Sequence, residues 1–210
     1  MSVPVAGPLS TILIPVLSFL RILVLTGASL LAGCQTQQPG FESTDITGAD
    51  FGKTFVLADH NGRQRSLEDF RGQVVVLFFG FTHCPDVCPT TLAELAGAIR
   101  KLGPAGDQVQ VLLVTVDPER DTPDVLGKYV TAFNPKFLAL RGSADETARV
   151  AREFKVIYQK VAGPRPDNYS MDHSAGTYIF DRHGRLRLYV SYGRGADVFA
   201  HDIDLLLKQP

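Results

Sequence analysis

Apolar residues recur with two different periods along this chain, and the alternation predicts its elements. Val74 to Phe79 is an unbroken apolar run, and Val109 to Val116 is nearly so. Both read as strands buried on both faces. Leu92, Leu95, Ile99 and Leu102 follow helical spacing behind Thr91-x-x-Glu94, a capping-box signal. Val125, Leu126, Tyr129, Val130 and Phe133 line a second helix, opened by Thr122-Pro123. Ser143-x-x-Glu146 opens a third, and Phe199, Ile203, Leu206 and Leu207 share a face of a last helix over 196–208. Thr54 to Leu57 predicts a short strand that turns at Asn61-Gly62 into Gln64 to Ser66, an N-terminal hairpin. Leu67 to Gly72 reads as a helical turn closed by glycine. Phe137 to Leu140 and Val156 to Lys160 are further short strands; Gly163 to Asn168, with two prolines, reads as a loop. Thr177 to Phe180 and Leu186 to Val190 form a hairpin across Asp181 to Gly184.

This order of strands, helices and closing hairpin predicts an α/β domain: a central mixed sheet with helices on both faces, preceded by the N-terminal hairpin.

The first residues have another character. Residues 9–33 carry a single charge, Arg21, and the stretch from Ile22 to Gly33 has the length of a signal-peptide apolar region. It ends in Leu31-Ala32-Gly33-Cys34, which resembles a bacterial lipobox whose cysteine becomes the lipidated first residue of the mature chain. An uncleaved anchor over residues 9–33 is the competing reading. Gln35 to Thr47 is polar and reads as a flexible tether. The expected organisation is a targeting segment at 1–33, a lipidated Cys34 with tether at 34–47, and a folded domain at 48–210. Either reading of the N-terminus predicts a bacterial envelope location, facing the periplasm and held to the membrane.

The chain has 210 residues, 45% of them hydrophobic, enough for one domain with a substantial core. Its net charge of −1 offers no basic footprint, so no nucleic-acid partner is expected.

Chemistry enters with Cys84 and Cys88, which sit directly after the first apolar strand in Phe81-Thr82-His83-Cys84-Pro85-Asp86-Val87-Cys88-Pro89. A cysteine pair between a buried strand and its helix is where a thioredoxin-like fold carries its active site. The Cys-x-x-x-Cys spacing is one residue longer than the usual redox motif. It lets two sulfurs share a metal ion and still permits a disulfide. Two thiolates suit Cu(I) best and Zn next, although a closed Zn site needs four protein ligands. Histidine is the natural third ligand. His60 and His183 read as solvated turn residues, and His201 as a structural residue of the last helix. His83 adjoins Cys84 and points away from it in an extended chain. His173, on a loop beside Asp172, which could orient it, is the strongest of the five. Met171 is a conceivable soft ligand, with packing as its expected role.

Three segments together, Phe81 to Thr90, Asp117-Pro-Glu-Arg-Asp-Thr-Pro123 and Asp172-His173-Ser174, resemble the SCO/SenC family of copper proteins. The resemblance covers roughly residues 45–208 and implies a thioredoxin-like fold. It implies one copper ion, Cu(I) or Cu(II), bound by Cys84, Cys88 and His173. It also implies a role in delivering copper to the copper-A centre of cytochrome c oxidase, with that oxidase subunit and a copper donor as partners. Asp117 is retained in the family pattern and is expected near the site or in a turn. Asp86 is expected either to add negative charge near the metal or to be solvated.

The main rival is a thiol–disulfide reductase in which Cys84 and Cys88 keep the oxidase's ligand cysteines reduced. A redox or copper sensor and a purely structural disulfide are further alternatives. Only the metal readings require His173.

Overall fold

The computed structural model describes residues 40–165 and 168–209. The signal segment at 1–33 and the lipidation at Cys34 lie outside the described residues.

Among the described residues, ten strands and four α-helices follow one another; the eight expected strands and four helices keep their expected order, and β1 and β8 are additional. β1 (Thr44–Asp45) precedes the hairpin of β2 (Val56–Asp59) and β3 (Gln64–Ser66). β4 (Val74–Gly80), α1 (Val87–Leu102), β5 (Val109–Thr115), α2 (Pro123–Thr131), β6 (Leu138–Arg141) and α3 (Ala144–Glu153) then alternate. β7 (Tyr158–Arg165) and β8 (Asn168–His173) pair with each other; β9 (Thr177–Phe180), β10 (Leu186–Val190) and α4 (Gly195–Lys208) close the chain.

The large sheet has the order β1-β10-β9-β4-β5-β6-β2-β3. β4 is parallel to β5 and β5 to β6, whereas β9 runs antiparallel to β4, so the sheet is mixed. The central order β10-β9-β4-β5 is that of a thioredoxin-like fold. All seven residues of β4 are buried, as a strand covered on both faces requires. α1 packs against α4, and α2 against β6. Phe154 sits at the centre of an aromatic cluster with Phe79, Tyr178 and Phe180, and each such buried ring contributes about 1.5–3 kcal/mol through apolar burial.

Four departures from the expected elements have local causes. First, α1 begins at Val87, not at Thr91, with Asp86 as its N-cap. Pro89 is tolerated because a first-turn residue has no intrahelical N–H bond to lose. Thr91 is a second-turn residue whose hydroxyl donates back to the Val87 carbonyl at 2.8 Å. Second, the first hairpin strand runs from Val56 to Asp59, because Asp59 closes the Asn61-Gly62 turn by accepting the Asn61 and Arg63 N–H groups. Third, the segment read as a proline loop is largely strand: Gly163 and Pro164 extend β7, and β8 begins at Asn168. Fourth, the expected tether is shorter than 34–47. The Asp202 carboxylate accepts the backbone N–H groups of Glu42 and Ser43, both at 2.9 Å, and β1 pairs with β10.

Candidate metal centre

The end of β4 and the start of α1 place the two cysteines. Cys84 lies in the connecting turn, its N–H donating to the Phe81 carbonyl at 3.3 Å. Cys88 is the second residue of α1 and is buried. Its backbone N–H, free at the helix N-terminus, donates to the Cys84 sulfur at 3.4 Å. No disulfide joins them.

The sulfurs are electrostatically unequal. The Cys84 thiol is pulled down to about 5, first by a hydrogen bond from the Cys88 side chain, then by the backbone N–H groups of Cys88 and Asp86 and by His173; partial burial opposes this. The Cys88 thiol is pushed up, by that same shared hydrogen bond and by burial. The metal-free reduced site is therefore a Cys84 thiolate held by a Cys88 thiol at a positive helix end.

His173 reaches the pair from the other side of the chain. It ends β8, opposite Tyr158 on β7, and its Nε2 lies 3.7 Å from the Cys88 sulfur. Its Nδ1 lies 3.0 Å from the Ser174 carbonyl, to which it donates, and this contact turns Nε2 toward the sulfurs. Phe81 stands edge-on to the ring at 5.9 Å. The donor atoms of Cys84, Cys88 and His173 all lie within 4.8 Å of one another. Bonds of about 2.0–2.3 Å to a common ion need donor separations near 4 Å, so a small contraction would let the trio hold one soft metal ion. Among the described residues no other group of three such donors forms.

The remaining expected residues fall elsewhere. Asp172 is exposed on the outer face of β8, across from Gln159, so it does not orient His173; the Ser174 carbonyl does. The Asp86 side chain is exposed and accepts from the Thr90 hydroxyl; only its backbone N–H serves Cys84. His83 is exposed beside Thr82, and Met171 is buried in the core. His60 is half-buried, not solvated: its Nδ1 accepts the Ala139 N–H at 3.2 Å and so ties the hairpin to β6. His201 is structural, its Nδ1 2.9 Å from the Asp202 carboxylate.

Asp117 is 3% exposed and holds a cluster rather than a ligand position. Its carboxylate accepts from Arg120 Nε at 2.5 Å and from the Tyr169 hydroxyl at 2.8 Å. Two further residues of this region escaped sequence reasoning. Asp121 is fully buried and accepts the Thr82 N–H, the Thr82 hydroxyl at 2.6 Å and the Thr115 hydroxyl at 2.5 Å. It thereby pins the loop leading to Cys84 onto the end of β5. Arg120 joins Asp117 to Tyr169 on β8. Both lie inside the Asp117-to-Pro123 motif, which marked the region without revealing which side chains turn inward.

The match to the SCO1/SenC family model runs over residues 43–208 and so includes every residue of this centre. The SCO2 homolog of Bos taurus mitochondria is 46% identical over 147 residues, 68% of this chain and 54% of that protein, so the match spans about half of the relative's length. Among solved structures, copper-bound ScoI of Bradyrhizobium japonicum is 38% identical with a TM-score of 0.66, covering 73% of this chain and 98% of that one. Apo Sco1 of Thermus thermophilus is 41% identical with a TM-score of 0.70, covering 80% and 97%. With the family model matched over nearly the whole of the described fold, and solved relatives sharing that fold at 38% and 41% identity, the chain belongs to the SCO1/SenC family.

Proposed function

We propose that this chain binds one copper ion through Cys84, Cys88 and His173 and passes it to the copper-A centre of cytochrome c oxidase during assembly. The observation that carries the reading is the convergence of two sulfurs and an imidazole nitrogen within 4.8 Å. Two soft donors and one borderline donor favour copper over harder ions. Copper in the Bradyrhizobium relative supports the choice. Family membership supports the link to oxidase assembly.

The chemistry is ligand exchange. Cys84 and His173 are half-exposed while Cys88 is buried, so an incoming donor would reach the ion from the Cys84 and His173 side. Cys88 must lose its raised proton on binding, so affinity falls with acidity. Release would pass the ion from these donors to those of the acceptor without free copper. In cells we place the protein in the bacterial envelope, facing the periplasm and held to a membrane through Cys34 or an N-terminal anchor. The lipobox-like run before Cys34 supports this location.

One observation favours a second reading, thiol–disulfide reduction: Cys84 is poised as a thiolate at neutral pH. Titration of the reduced protein with Cu(I) against a competing chelator separates the two. One equivalent should bind, tightly in the wild type and far more weakly in His173→Ala and in the double variant Cys84→Ser, Cys88→Ser. Tight binding retained in the double variant would refute the assigned site. Unchanged oxidase activity in cells carrying His173→Ala at limiting copper would favour the reductase.

A further inference from the structure

The β7–β8 ribbon that ends in His173 forms its own two-stranded sheet and shares no ladder with the large one. Both ends of the ribbon lead straight into the anchored fold, β9 beginning four residues after His173, but no ladder docks its strands against the rest of the molecule, so side chains supply those contacts. Arg120 makes the densest set of such contacts. Its Nε donates to Asp117, its second guanidinium nitrogen donates to the Tyr169 carbonyl at 2.8 Å, and its Cζ lies 3.6 Å from the centre of the Tyr169 ring. The Tyr169 hydroxyl returns to Asp117 at 2.8 Å, closing a ring of three residues. Arg120 also lies 6.0 Å from the centre of the Phe81 ring, the same ring that stands against His173.

Tyr169 and His173 stand four positions apart on β8. They face the same side, as strand alternation requires, with buried Met171 between them. An extended strand is stiff over this distance, so fixing Tyr169 fixes the approach of His173.

We propose that Arg120 is a positioning residue for the metal centre: clasped by Asp117, it holds Tyr169 and so docks the ribbon with His173 Nε2 against the cysteine pair. This deepens the copper reading and rests on it for its functional meaning. Lysine cannot replace arginine here, because it lacks the planar fork that donates in two directions while stacking on a ring.

Two measurements test the clasp. In the metal-free protein, NMR shifts of the His173 ring protons report its packing against Phe81. Arg120→Lys should move them toward values of an unstructured histidine, while the methyl signals of Leu112 and Ile179 stay in place. In the copper-loaded protein, Arg120→Lys should weaken Cu(II) binding by about tenfold or more, the scale of other outer-shell losses. In a His173→Ala background the same change should cost under about twofold, since its effect runs through the imidazole.

Unmoved His173 shifts in Arg120→Lys, or an equal affinity loss in both backgrounds, would overturn the proposal. If His173→Ala leaves copper affinity unchanged, the copper reading fails instead, and the metal-free shifts still decide the clasp. Should Arg120→Lys lose the core methyl signals, Tyr169→Leu, which removes the ring that Arg120 stacks on and the hydroxyl that returns to Asp117, carries the same comparison; unmoved His173 shifts there would overturn it.

Discussion

A Cβ placed on Gly80 would lie 2.8 Å from the sulfur of Cys88 and 3.1 Å from Leu113. The last residue of β4 and the second residue of α1 thus meet at a separation that only glycine permits. The buried cysteine is seated against bare backbone, so the strand itself sets one coordinate of the metal centre. Gly80→Ala should cost about 1–3 kcal/mol, the range for overpacking, and push the Cys88 sulfur outward. Urea unfolding and copper competition should show both losses together. A stable variant with unaltered affinity would show that the contact relaxes freely.

Cys84 should be the reactive thiol of the reduced, metal-free protein. With its pKa lowered to about 5, chiefly by the Cys88 side chain, it is thiolate across neutral pH and becomes protonated only as pH falls through about 5. Alkylation followed by mass spectrometry should find Cys84 modified first, its rate levelling off above about pH 6. Cys88→Ala removes the leading cause, so the inflection should move up toward the ordinary thiol value of 9.0. An inflection unchanged by Cys88→Ala would assign the shift to the helix terminus instead.

Removing the buried Asp121 carboxylate should loosen the cysteine loop. Asp121→Ala strands the Thr82 N–H and the Thr82 and Thr115 hydroxyls without their shared acceptor. A loss of about 2–4 kcal/mol is expected from unsatisfied buried donors. Hydrogen exchange should accelerate at Thr82 and Cys84 more than in β9. Uniform acceleration would mean global destabilisation without a local role.

Asp202 links acid stability to the N-terminal segment. Burial pushes its carboxyl up, but hydrogen bonds from Ser43, Glu42 and His201 more than offset this and leave it below 3.8. A carboxyl lowered by folding stabilises the fold above its unfolded value of about 3.9, and that contribution fades as pH falls through the folded value. Asp202→Asn should therefore lower stability at pH 7 by about 1–2 kcal/mol. It should also flatten the stability profile below about pH 4. Protease cleavage between Phe41 and Thr47 should rise in the variant at neutral pH. A variant as resistant as wild type would show that β1 alone holds the segment.

Most of the scaffold was legible in the order of apolar runs, because β4, β5, β9 and α4 bury continuous or periodic apolar faces. The cysteine pair was legible for the same reason, since it follows β4 directly. What was lost depends on contacts far along the chain. β1 is two polar residues whose strand character comes from β10, more than a hundred positions away. β8 carries polar and apolar residues in a pattern that only pairing with β7 makes a strand. Its concealment hid the reason His173 and Tyr169 share a face. Asp172 looked like the natural partner of His173 because it is adjacent, yet adjacency in a strand sends it to the opposite side.

The two ends of the large sheet are blunt: β3 has three residues and β1 only two. A chain trimmed at residue 48, where composition alone draws the domain boundary, would keep every residue of the metal centre and lose β1. The outer flank of β10, Leu186–Val190, would then be naked: a row of free amides and carbonyls with buried apolar side chains beneath. Such a flank recruits strands from other molecules. The first residues of the fold thus act as a selvedge, keeping each molecule from knitting to its neighbour.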